Sequence, residues 1–186
     1  MQNEWGAKSQ MEHRWEADRV VVVCGDTNPD PNAASGNAVA ADLSLASAAI
    51  ELEQVAEIRY VYRHRSKPGV GVGRNAADED ISYFAISKTA GEITEKSVRH
   101  EHDPKKPDNP RIDASIYVED REDTGRVEER FDVSAISGPR HVGMGATIAS
   151  DDPQMVELDV FDIRGMDRNG DEVFSLSPSD QALRFS

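Results

Sequence analysis

The chain has a single cysteine, only six lysines and few aromatic residues, 6% of the total. One cysteine, Cys24, excludes an internal disulfide. It closes an apolar run, where a thiol is inert packing unless exposed, and exposed it would offer an intermolecular disulfide. No stretch reaches 18 uninterrupted apolar residues, so no helical membrane span is expected. The longest candidate, residues 38–50, is broken by Asp42 and several serines. The opening "MQNEWGAKSQMEHRWEADR" lacks the apolar centre of a secretory signal. Basic residues are outnumbered 21 to 35, and the net charge is −14. This excludes nucleic-acid binding by phosphate neutralisation and docking on an anionic membrane through general surface charge.

The charges that are present are skewed within each sign: 19 Asp and 16 Glu face 15 Arg and 6 Lys. Short carboxylates with few lysines suit a surface that stays hydrated in very high salt. At molar salt the Debye length falls to about 3 Å, and self-repulsion among carboxylates is screened.

Residues 1–18 read as a polar arm, either a short helix or a mobile segment, carrying Trp5 and Trp15. The two tryptophans either fold back on the domain or anchor a partner. Residues 19–186 read as one domain of strands. "DRVVVVCGD" is a β-branched run, and "TNPDPNAASGN" is turn chemistry. Residues 57–65 alternate, with Ile58, Tyr60 and Tyr62 on one face, while residues 48–56 are open to a helical turn. "ISYFAIS-KTAGE-ITEKSVRH" reads as a hairpin over residues 81–100. A second hairpin spans residues 111–137 and turns near Gly125. "GPRHVGMG" reads as a loop, "ATIAS" as a short strand and "QMVELDVFDI" as a strong one. Asn169-Gly170 marks a tight hairpin turn before "VFSLS" and a polar tail. Strands at this spacing predict an all-β, antiparallel sandwich or barrel of about eight strands with a short N-terminal arm.

"SKPGVGVGRNAADED" carries Gly69, Gly71 and Gly73 after a strand. A dinucleotide fingerprint needs G-x-G-x-x-G opening a helix. Here the spacing is G-x-G-x-G, no helix follows, and Asp78, Glu79 and Asp80 repel an anion. The stretch reads as a flexible connection between strands, or one ordered by a neighbouring subunit. "RHEHD" places His100 and His102 at i and i+2, which on a strand point both imidazoles to one side, as two metal ligands require. That H-x-H pattern occurs in the cupins, jelly-roll metalloproteins, but their following Glu is replaced here by Lys105, Lys106 and Pro107. A third ligand would come from His64, His141 or a distant carboxylate. "DRNGDE" misses the calcium-loop register and reads as the hairpin turn. No G-x-S-x-G occurs. These readings predict no enzyme, no cofactor, no resident metal and no small-molecule substrate.

Length, the arm "MQNEWGAKSQMEHRWEADR", the strand pattern through "VELDVFDIRGMDRNGDEVFSLS" and the acidic composition together resemble the smaller major capsid protein of halophilic archaeal tailless icosahedral viruses with an internal membrane. The resemblance implies a single upright jelly roll. It implies self-association and pairing with a second, larger capsid protein into capsomers around a membrane vesicle. It implies assembly in the cytoplasm of a halophilic host and residence in the virion capsid. Trp5, Trp15 and the loop of Gly69, Gly71 and Gly73 are the expected subunit contacts. The alternative is a cupin-like metal-binding β-barrel enzyme using His100 and His102. A carbohydrate- or protein-binding sandwich is a third reading.

Overall fold

A computed structural model describes residues 9–26, 39–67, 79–106, 112–119, 123–150, 155–176 and 183–185. Its strands are β1 (Ser9–Trp15), β2 (Val20–Asp26), β3 (Val39–Ser47), β4 (Ile50–Glu51), β5 (Glu57–Lys67) and β6 (Glu79–Ser87). They continue as β7 (Ile112–Glu119), β8 (Val127–Asp132), β9 (Pro139–Ser150), β10 (Met155–Met166), β11 (Glu172–Ser175) and β12 (Leu183–Phe185). A 3-10 turn (Ala90–Glu92) and one helix, α1 (Glu95–His102), lie between β6 and β7. No helix among the described residues is long and apolar enough to cross a membrane.

The strands form two six-stranded antiparallel sheets. The first runs β1-β2-β10-β5-β8, with β11 added to β10; the second runs β12-β3-β9-β6-β7, with β4 added to β9. The order has a simple origin. β2 pairs β10, β3 pairs β9, β5 pairs β8 and β6 pairs β7, as in one long hairpin. Rolling that hairpin up adds the pairs β10–β5 and β9–β6. This is the winding of an eight-stranded jelly roll, so the all-β antiparallel expectation is met.

Alternation explains the core. Val20 and Val22 of β2, Ile58, Tyr60 and Tyr62 of β5, Phe84 and Ile86 of β6, and Val156, Leu158 and Val160 of β10 meet between the sheets. Tyr60 stacks on Phe84 at 4.2 Å between ring centroids, and Phe84 stacks on Phe131 at 5.2 Å. These offset rings lock the two sheets together. A second, smaller core lies on the other face of the second sheet. There Ile93 and Val98 from the 3-10 turn and helix region cover Ile81, Tyr83 and Ala85.

Several local expectations change. Residues 81–100 are not a hairpin, because after β6 the chain turns into α1. Thr94 caps that helix by accepting from the Ser97 N–H at 3.2 Å, and Arg99, His100 and His102 occupy its last turn. β7 and β8 do not pair with each other: β7 joins β6 and β8 joins β5, in opposite sheets. Gly125, at φ +65°, lies on the crossing between them. "GPRHVGMG" is not a loop but the start of β9. Its Gly145 is required by close approach, since a Cβ there would collide with the Tyr83 ring and the Leu43 carbonyl. Within the stretch read as an arm, Ser9–Trp15 is a strand on the edge of the first sheet, and Leu183–Phe185 in the polar tail pairs with β3. The Asn169-Gly170 turn is as expected: Gly170 sits at φ +83°, and the Asp167 carboxylate accepts from the Asn169 and Asp171 N–H groups.

Candidate functional site

Helix α1 lies against β7, and a groove of about 470 Å³ follows the helix. Glu95, Lys96, Arg99, His102, Lys106 and Tyr117 line it, among others. His100 and His102 belong to the helix, not to a strand. Two positions along a helix turn about 200° around its axis, so the shared strand face that the pairing assumed is absent, although both side chains border this groove. The paired-ligand geometry of the cupin-like reading is therefore corrected. Among the described residues, no three of His, Cys, Asp and Glu come together in a metal-holding group.

His102 has a definite partner. Its Nε2 lies 3.1 Å from the Ser115 carbonyl oxygen and 3.0 Å from the Ser115 hydroxyl. A carbonyl only accepts, so this nitrogen carries the proton and donates. The Ser115 hydroxyl in turn donates to the Glu101 carboxylate. The serine proton thus points to the carboxylate, and the imidazole is not aligned as its base. The three groups clamp α1 onto β7. His102 also meets Tyr117 edge-on at 5.2 Å, and Tyr117 is an exposed large apolar side chain. Sequence reading missed this clamp because it placed residues 93–100 on a strand. The Thr94–Glu95 start and Pro104 just past the helix end were the available signals.

The other predicted residues are dispersed. Trp5, Gly69, Gly71 and Gly73 lie outside the described residues. Trp15 ends β1, opposite Val20. Cys24 sits in β2, a strand paired on both sides, opposite Met11 and Val156. His64 is fully buried between the sheets, its Nδ1 2.7 Å from the Ser82 hydroxyl. The His141 Nδ1 lies 2.9 Å from the Ser47 carbonyl.

A charged network missed by sequence reading covers the outer face of the first sheet. Arg65 on β5 reaches both Glu157, at 2.5 Å, and Asp159, at 2.8 Å, on β10. Arg63 grips Asp123 through two bonds of 2.9 and 2.5 Å. Asp159 is buried, its side chain 3% exposed, and its Oδ1 has no hydrogen-bond partner. Burial pushes its carboxyl above the usual carboxylate range, against the pull of Arg65. Asp123 moves the opposite way, held well below that range by the Arg63 guanidinium and the Gly125 N–H. Nearby, the Arg126 guanidinium stacks over the Phe161 ring at 4.2 Å.

No protein-family model matches this chain, and no curated protein matches it. Among solved structures it is similar to a glycoside hydrolase domain, Endo-D from Streptococcus pneumoniae R6, at 15% identity and a TM-score of 0.36. The match covers 82% of this chain and 20% of that one, so this chain spans about a fifth of that protein's length. A likeness at this level carries no argument about activity in either direction. The expectation that the chain is no enzyme is accordingly withdrawn, and activity stands open in both directions.

Proposed function

We propose that this chain is a shell-building subunit, a salt-adapted jelly roll. In this reading it pairs with copies of itself and with a second, larger capsid protein to form capsomers of an icosahedral shell around a membrane vesicle. The observation that carries the reading is the jelly-roll winding on a chain of net charge −14 that uses arginine in place of lysine. Jelly rolls serve viral capsids, lectins and cupins. Fold alone does not choose among them, so the surface must. Among the described residues, both sheets end in strands paired on one side only, β1 and β8 in the first and β12 and β7 in the second. A barrel standing upright turns such sides toward its neighbours. The carboxylate excess explains why assembly would need concentrated salt.

The test is the composition and salt response of purified particles. The chain should be among the most abundant proteins of virus particles from a hypersaline host. Dilution from molar salt to about 0.1 M, where the Debye length grows to about 10 Å, should release it. Its absence from such particles, or shells indifferent to that dilution, would overturn the reading.

A further inference from the structure

The outer face of the first sheet carries its charges in rows. Arg130 of β8, Arg59 of β5 and Arg164 of β10 are direct cross-strand partners, three like charges side by side. Like charges directly opposite one another destabilise a sheet, so such a row needs a reason. Each guanidinium meets, through Nε at 2.7 Å, the carboxylate two residues before it on its own strand: Glu128, Glu57 and Asp162. Among the described residues, each of these three arginines has its ion pair with that one carboxylate.

The next row along the strands is acidic. Glu128 and Asp162 are the cross-strand partners of Val61, which is 9% exposed between them. On the far side of the arginines, Glu57 stands opposite Asp132. The rows therefore alternate acidic, basic, acidic, about 6.8 Å apart, the rise of two strand residues. Three arginines stand here against four carboxylates, whereas the whole chain has 21 basic residues against 35 acidic ones. This patch is close to neutral on a strongly anionic molecule. The corresponding face of the second sheet is covered by the α1 region.

We infer that this face is a docking surface for a second copy of the chain. Two-fold pairing brings the same patch onto itself, and a patch of one sign repels itself while a striped one does not. Consider an axis parallel to the rows, midway between the arginine row and the Glu128–Asp162 row. Rotation about it lays Arg130 on Glu128 of the second copy and Arg164 on Asp162 of the second copy, each twice by symmetry. Arg59 then lies over Val61 of the second copy. The inference rests on the self-association in the reading above and assigns it a face.

The experiment is sedimentation equilibrium of the full chain in molar salt, where whole-molecule repulsion is screened. Arg130→Glu and Glu128→Arg are the variants, because Arg130 is the most exposed of the three arginines, 57% at its side chain. Each variant alone sets like charges together at two symmetric contacts and should weaken self-association about tenfold. An equimolar mixture should recover wild-type affinity, since each variant then meets the charge it lacks. The double variant R130E/E128R should recover it as well. Circular dichroism matching wild type confirms that the variants fold. Single variants that associate like wild type, or a mixture that recovers nothing, overturn the face alone. A wild-type chain that stays monomeric overturns the face together with the self-association it rests on.

Discussion

Asp159 and Asp123 are carboxylates of one charged network with opposite environments. Asp159 is buried, which disfavours its charged form and raises its pKa, while Asp123 is exposed and gripped by Arg63, which lowers its pKa. Their linkage to stability has opposite sign. The Asp123 contribution is complete above the unfolded value of about 4 and is lost as pH falls through its lowered pKa. The Asp159 contribution is complete below about pH 4 and is lost as pH rises through its raised pKa. Denaturant titrations from pH 2 to 7 should therefore separate the two variants. Asp123→Asn should flatten the loss of stability at the acid end. Asp159→Asn should gain on wild type as pH rises above about 4. Identical pH slopes for the two would count against the assigned burial. Sequence pattern could not tell these residues apart. Strand alternation puts Asp159 on the polar face, and only the packing over that face buries it.

At the scale of elements, α1 is the piece that sequence periodicity misassigned. Its eight residues contribute one buried apolar side chain, Val98, with Ile93 just before the helix. That is too little to set a helical period against the β pattern around it. The cap carries the signal instead. Thr94→Ala removes the acceptor of the Ser97 N–H and should cost about 1 kcal/mol. The loss should appear first as faster amide exchange in residues 95–102, because a short helix opens locally. Unchanged exchange there would argue against the cap. β9 failed in sequence reading for the opposite reason. Gly143 and Gly145 look like loop residues, yet they sit mid-strand because Ile93 and Tyr83, distant in sequence, press on them. By contrast β2, β5, β6 and β10 were legible, since each is dense in β-branched, aromatic or aliphatic residues, β2 as a run of four valines and β5 by alternation, and the Asn169-Gly170 turn names its own geometry.

For the whole molecule, net charge governs the response to salt. With 35 acidic and 21 basic residues, the folded chain holds like charges closer together than the unfolded one. Screening should therefore raise the melting temperature of the isolated chain as salt climbs from about 0.1 M toward molar, where the Debye length is about 3 Å. Thermal melts at increasing potassium chloride measure this directly, and a flat or falling melting temperature would contradict it. Potassium chloride is the better choice here because sulfate would also strengthen apolar burial and blur the cause.

The amino-acid sequence by itself determined the class of the fold, the positions of its strongest strands and the anionic, arginine-using surface. Those properties are local or additive: alternation is read over a few residues, and charge is a sum. The tertiary structure alone decided which strands pair. It separated β7 from β8 into opposite sheets, diverted residues 95–102 into a helix and buried Asp159. It also aligned Arg130, Arg59 and Arg164 into one row, because cross-strand register joins residues far apart in the chain, and no local pattern encodes that register.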